Sequence, residues 1–500
     1  MPEQFLHGVE IVEIDDGSRP ISTVKSSVIG LIGTAPNSAP AATAKLITGS
    51  VGSNNGITLT AVTPGEAANA IAVHLKDPKA NSQALSVSVS GSAITVNLAT
   101  SSTGVITSTA APVIAAITAS VAASLLITAA NTAGSLGSGV VGASVKAQSL
   151  SGGADEAFPL NTPVLIAGSR QAADKLDTLG TKEGTLPDAV DAIFDQAGAM
   201  IVVIRVGQGV DFAAAKSNII GATANTGVKA FLNAESIVKV KPRILIAPGY
   251  AHDQAVIAEL LGIADQLKAV IIADGPNSND AAAISYRENF GSKRVYVVDP
   301  NVKIWDTVSN SEVVQPSSAR VAGIIAKSDN ERGFWWSPSN REIYGILGSA
   351  RPIGFALGDT NAVANYLNEN EVATIIQKDG YRLWGNRTCS ADQKWAFLSV
   401  VRTADMIHES LLAAHMWAVD RNITKTYLED VVEGVNEYLR HLVAVGAVLG
   451  GRCWADEELN TPDQISQGKV YFDFEFTPPY PAEHITFRSH LVNDYIKELF

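Results

Sequence analysis

Arg243-Ile244-Leu245-Ile246-Ala247, a helical pattern from Ala255 to Leu267, and then Ala269-Val270-Ile271-Ile272-Ala273 decide the fold of this chain. Each outer run is short, apolar and bounded by turn residues, and the segment between them is helical in period. The same rhythm extends in both directions, through Val164–Ala167 and Ile201–Val206 upstream and Arg294–Val298 downstream. Strands alternating with helices predict an α/β domain with a largely parallel sheet. Further upstream, Val28-Ile29-Gly30-Leu31-Ile32-Gly33 reads as one more buried strand, ending at Ala35-Pro36.

The composition then breaks. Between Phe5 and Phe158 there is no Phe, Tyr or Trp, and from Ala80 to Val145 there is no Asp, Glu, Lys or Arg. Pattern survives in this segment, so it is not a disordered tract. Leu85, Val87 and Val89 alternate with serine, Ser90-Gly91-Ser92 turns, and Ile94, Val96 and Leu98 alternate again, which predicts a β-hairpin. Ile57–Thr60 and Ile71–Leu75 add strands, and Ala110–Ala130 reads as a helix packed on them. That stretch is uncharged and long enough to span a bilayer, but Pro112 and its Ser and Thr residues favour packing on a sheet. Phe158-Pro159-Leu160-Asn161-Thr162-Pro163 resumes the earlier composition, so residues 37–155 read as an insertion, which a surface loop tolerates at little entropic cost.

Past Gly380 the pattern changes to α+β. Ser390 with Gln393 reads as a capping box opening a helix to about His415. Thr424 or Thr426 opens a second helix, with Val431, Val435, Leu439 and Leu442 on one face and Glu429, Glu433 and Glu437 on the other. Both chain ends read as strands without evident partners. Val9–Ile14 alternates apolar and acidic residues, and Val470–Phe476 alternates again until Pro478-Pro479 stops it. Unpaired strand edges invite another chain, which points to assembly more than catalysis.

Five hundred residues predict several domains. A formal charge of −13 offers no field for phosphate, so nucleic acid is not an expected partner; membrane insertion is not expected either. With two cysteines, Cys389 and Cys453, no disulfide framework is expected, and a reducing compartment suits the chain. Met1–Phe5 lacks the basic and apolar regions of a signal peptide. Asp274 and Asp299 sit at strand ends where a doubly wound sheet would hold a ligand, but such residues also cap helices, and no phosphate-binding glycine motif accompanies them. His408 and His415, seven apart with Glu409 beside the first, lack zinc-site spacing. No catalytic, cofactor or metal residue is therefore expected. Lys378–Cys389, dense in Gly, Arg and aromatic residues, fits a rigid turn at a packed junction or subunit contact.

That segment, together with His7-Gly8-Val9-Glu10, Arg19–Val24, Phe158–Leu165, Lys241–Leu245, Ala414–Asp420 and Tyr471–Pro478, resembles the tail sheath proteins of contractile-tailed bacteriophages, including pyocin-like particles. The resemblance implies a subunit of hexameric rings stacked helically around a tail tube. It implies contraction triggered at a baseplate, with a terminator at the other end of the tail. It also implies residence in the virion after assembly in the host cytoplasm. On this reading residues 1–24 are an N-terminal linker arm, 25–36 and 156–375 an α/β sheath domain, 37–155 an inserted β-rich outer domain, 376–480 an α+β inner domain facing the tube, and 481–500 a C-terminal linker arm. The expected fold class is α/β and α+β multidomain: mixed-sheet cores, a β-rich insert and extended arms. Val9, Ile11, Val12, Ile14, Val470, Phe472, Phe474, Phe476, Ile485 and Phe487 are the expected subunit-linking residues, and Glu429, Glu433 and Glu437 the expected tube-facing ones. The competing reading is a soluble α/β nucleotide-binding enzyme or hydrolase with a ligand at Asp274 and Asp299.

Overall fold

A computed structural model describes residues 21–493 and 495. Its centre is a nine-stranded sheet. We label its strands β1 (Ile29–Thr34), β2 (Val164–Ala167), β3 (Met200–Val206), β4 (Ile244–Ile246), β5 (Val270–Asp274), β6 (Val295–Val298), β7 (Val372–Gln377) and β8 (Tyr381–Trp384). With the short strand Arg341–Glu342 at one edge, the order is 341–342, β8, β7, β6, β5, β4, β1, β3, β2. The six strands from β7 to β3 run parallel, whereas β2, β8 and Arg341–Glu342 pair antiparallel at the two flanks. β1 and β5 are buried along their whole length, which is why they read as unbroken apolar runs. Every strand predicted in this region forms, with boundaries shifted by a residue or two.

The predicted helix after Ala255 is α1 (Gln254–Leu267), opened by Asp253, whose side chain accepts from the Ala255 N–H. A second helix, α2 (Ser318–Arg332), is buried along most of its length although it carries Ser318, Arg320 and Ser328 among its buried residues. Asp274 explains its start. From the end of β5 its carboxylate accepts from the Ser318 N–H at 2.7 Å and the Ser318 hydroxyl at 2.6 Å. Asp299, equally buried, accepts from the Asn277 N–H at 2.8 Å and pairs with Arg351. Both strand-end carboxylates are thus taken up by the chain's own helix start and turns.

The chain divides into two compact units, Asn37–Pro159 with Lys175–Thr178, and the remainder. The smaller unit holds a three-stranded sheet (45–48, 57–61, 127–131) and a four-stranded one (86–90, 93–97, 72–76, 148–149). The hairpin at Gly91 forms as expected, with Ser90 opposite Ala93 and Gly91 at φ 58°. Its way in and way out are adjacent, because the Ala157 N–H bonds the Ala39 carbonyl.

Three expectations are corrected. The helix expected over Ala110–Ala130 ends at Ala119, since Ser120 turns extended and caps a separate turn at Val121–Ser124. Ile127–Asn131 is a strand paired with Ile57–Ala61. Ser390 caps nothing; Asp392 caps the turn Gln393–Trp395, and the helix proper is α3 (Leu398–Ala414). The expected domain break at 375/376 falls inside β7, which hydrogen bonding to β8 keeps in the large sheet. Among the described residues no helix is long and apolar enough to cross a membrane.

Burial pushes the Asp274 carboxyl up to about 6, the Ser318 bonds opposing it in part. Because the neutral form is the one favoured in the fold, this group's contribution is fully present below about pH 4 and is lost as pH rises through about 6. A shift of that size corresponds to about 3 kcal/mol. Asp274→Asn, which still accepts from the Ser318 N–H, is expected to flatten the fall in thermal midpoint between pH 5 and pH 7.5; equal slopes for parent and variant would contradict the assignment.

Candidate functional site

The C-terminal helices and the strands after them hold three of the predicted linking residues, Phe472, Phe474 and Phe476. Thr424 opens α4 (Lys425–Ala444), accepting from the Tyr427 N–H at 3.2 Å. α3 is fixed to the sheet by charges on one of its faces. Arg402 bonds Asp329 of α2 at 2.6 Å, Asp405 pairs with Arg294 just before β6, and Glu409 accepts from Arg243 at 2.9 Å and Lys241 at 2.8 Å just before β4. Spacings of three and four put all three on one side of the helix. Burial works against ionisation of Glu409, but the bonds from Lys241 and Arg243 hold its carboxyl below the ordinary range. Burial pushes Asp405 up, and Arg294 pulls the other way.

The chain entering from the N-terminal side crosses this helical layer before β1. Ile21 and Val24 pack against the apolar cluster of α3 and α4. The Thr23 hydroxyl lies 3.0 Å from the Tyr438 hydroxyl, the Val24 N–H donates to Ser410 at 3.1 Å, and the Ser26 carbonyl accepts from Arg402 at 3.1 Å. An open cleft of about 490 Å³ lies beside Thr23–Ser27, walled by Phe334, Trp335 and Leu442. Val9, Ile11, Val12 and Ile14 lie outside the described residues.

The predicted C-terminal strand forms as β10 (Phe472–Thr477), starting two residues later and ending one later than expected, with Val470 outside it. Its predicted isolation is overturned, because β9 (Gly450–Ala455) pairs with it antiparallel, from Ala455 opposite Phe472 to Gly450 opposite Thr477. Sequence reasoning missed β9, whose glycine pair and single apolar alternation give little strand signal. Phe472, Phe474 and Phe476 pack inward on the helices, while Asp473, Glu475 and Thr477 are exposed. Phe474 and Phe476 stack 6.1 Å apart, and the His408 ring meets both edge-on. His408 is therefore a packing residue of the ribbon, and burial lowers its pKa.

The two edges of this ribbon differ. The Asn436 side chain of α4 accepts from the Cys453 N–H at 2.7 Å and donates to the Cys453 carbonyl at 3.0 Å, covering the outer edge of β9. Cys453 therefore turns its main chain away from β10, and its partner Phe474 turns its own N–H and C=O away from β9. Among the described residues no backbone bond takes up that outer edge of β10. The expected linking residues Ile485 and Phe487 lie in no strand: residues 478–492 carry no regular structure, and the two are exposed at 66% and 93%. An apolar segment without a partner strand has no ladder to join. On α4, Glu429 lies 3.6 Å from Lys425, Glu433 pairs with Arg440, and Glu437 is exposed.

Family models match most of the chain: the tail sheath protein Gp18 domain III N-terminal region over residues 139–206, the phage tail sheath protein central domain over 223–389, and the phage tail sheath C-terminal domain over 390–491. This chain belongs to the phage tail sheath protein family. The sheath chain is 44% identical over 351 residues to a putative prophage major tail sheath protein of Pseudomonas aeruginosa, spanning 69% of itself and 90% of that protein. It is 30% identical over 530 residues to the tail sheath protein of Burkholderia phage BcepMu, spanning 100% of itself and 99% of that protein. Its fold is shared with the sheath complex of the PVC extracellular contractile injection system in its contracted state, at 19% identity and a TM-score of 0.53 over 68% of this chain and 89% of that one. The sheath chain is a structural subunit of a contractile phage tail and not an enzyme. The enzyme reading is accordingly set aside, and the two carboxylates that suggested it serve the fold.

Removing one member of a buried ion pair strands the other, at a cost of about 3–5 kcal/mol. Asp405→Ala is expected to destabilise the unassembled chain by that order in urea titration. Glu475→Gln breaks the Arg452 pair, whose side chains are 71% and 59% exposed, and is expected to cost under about 1 kcal/mol. Equal losses in the two variants would contradict this account of α3.

Proposed function

We propose that this sheath subunit polymerises as hexameric rings stacked helically around a tail tube, and that its contraction drives the tube through the host envelope. The observation that carries this reading is the outer edge of β10, where Phe474 turns its main chain away from β9 while the other edge of the ribbon is covered by Asn436. An arm from a neighbouring copy adds a strand there: Val9, Ile11, Val12 and Ile14 at one end of the chain, or Ile485 and Phe487 at the other. The donor and the acceptor are different surfaces, so the contact is head-to-tail and propagates into a helix of subunits instead of closing a dimer. Strand pairing through the main chain lets an arm hinge without losing its link, which suits a sheath that must stay connected between two packings.

On this reading the baseplate and the terminator cap the polymer, which assembles in the host cytoplasm and ends in the virion. α4 turns Glu429, Glu433 and Glu437 towards the tube, and the insert lies on the outside. Neither role is required for the linkage itself. Deleting Met1–Asp16 is expected to leave a folded, soluble chain that forms no tubes in negative-stain electron microscopy; sheaths of normal length would refute the linking role. Reversing the three glutamates to lysine is expected to weaken co-sedimentation with purified tube, and unchanged binding would remove that contact. Because Ala39 and Ala157 are already hydrogen-bonded, replacing residues 40–156 with a short Gly-Ser link is expected to leave polymerisation intact. Loss of polymers from such a folded variant would place the insert among the linking elements.

A further inference from the structure

The turn Trp384–Cys389 has no part in the linkage described above, yet it is built rigidly. Gly385 sits at φ 125°, where a Cβ would lie 2.9 Å from the Ala373 Cα of β7, so the turn rests on the sheet at a distance only glycine permits. Its carbonyl accepts from the Tyr296 hydroxyl at 2.7 Å. The Cys389 N–H donates to Val295, the Thr388 N–H to Ala396, and the Leu398 N–H to Asn386. What this frame holds outward is Arg387. Its guanidinium lies 5.3 Å from the centre of the Phe397 ring, and its Nε donates to both carboxylate oxygens of Glu483, at 2.8 and 3.1 Å, with Nη2 donating to the second. The Glu483 carboxylate holds Arg387 above its ordinary pKa. Tyr480 meets the same Phe397 ring edge-on at 6.3 Å. Beyond Glu483 the large apolar side chains stand out into solvent, with Leu491 fully exposed.

We propose that Arg387 is a carboxylate clamp that fixes the root of the C-terminal arm, so that the arm's hinge lies after Glu483 and not at the proline-rich stretch Pro478–Pro481. This rests on the reading of residues 481–500 as a linking arm and adds where that arm is held. A forked guanidinium on a carboxylate sets direction as well as position, which a single-point contact would not. Everything up to Glu483 then moves with the sheet, and the exposed Ile485, Phe487 and Leu491 are presented from a fixed origin. Because the pair is part-exposed, it is also releasable, and salt weakens it.

The test uses the unassembled full chain, so it is independent of whether the arms link subunits. Both native cysteines are buried, and a nitroxide on Ala482→Cys reports the root alone. In the parent background the label is expected to be motionally restrained, and in Glu483→Gln, which leaves Arg387 on Phe397, its correlation time is expected to shorten at least twofold. Arg387→Gln and 1 M salt are expected to shorten it similarly. A label already mobile in the parent, or unchanged by Glu483→Gln, would overturn the clamp. Deleting residues 484–500 and scoring polymers in negative-stain electron microscopy separately decides the linking role of this arm.

Discussion

The charged face of α3 is the constraint on which the rest of this molecule depends. Arg402, Asp405 and Glu409 each find an opposite charge on the α/β side, at Asp329, at Arg294, and at Arg243 with Lys241. Ion pairs out of water repay their desolvation only when geometry and secondary bonds are good. Their value here is orientation. Hydrophobic packing alone would let a helix slide or rotate on the strand ends, whereas three paired charges at fixed heights admit one register. Through α3 the constraint reaches the N-terminal segment, bound at Ser410 and Arg402, and the ribbon, packed on His408. The surfaces proposed to link subunits are therefore positioned by the same helix.

An unpaired strand edge is a hazard in a soluble protein and a necessity in a strand-exchanging polymer. The ribbon reconciles the two through asymmetry. Its phenylalanine face is covered by helices, its other face carries Asp473 and Glu475, and one edge is covered by an asparagine acting as a surrogate strand. Among the described residues, the main-chain groups along the outer edge of β10 are left for a partner. Such an edge selects for an extended backbone and little else, so side-chain charge on the flanks is left to restrict what approaches.

Much of this was legible in the sequence. The parallel strands are buried on both faces, so their apolar runs stand out without any knowledge of neighbours, and the insert announces itself by lacking Phe, Tyr and Trp. What escaped notice did so for identifiable reasons. β9 contributes one inward cysteine between arginine and tryptophan, and Gly450-Gly451 argues against a strand until β10 lies beside it. The helix expected through Ala130 failed because Ser120 and the strand partner at 57–61 outweighed a weak apolar stripe. Neither the α3 charges nor Arg387 with Glu483 could be paired from sequence, since their partners lie tens to more than a hundred positions away.

By itself the sequence determined the strand–helix rhythm, the inserted unit, the alternating apolar ends and the resemblance to tail sheath proteins, because each is written in residues close together along the chain. Tertiary structure alone decided that Asp274 caps a helix instead of holding a ligand, that Val470–Phe476 has a partner in its own chain, and that one edge of the resulting ribbon is covered while no backbone bond among the described residues takes up the other. Those outcomes depend on which groups meet across long separations. A carboxylate or a strand edge carries no mark in the sequence of whether folding will satisfy it.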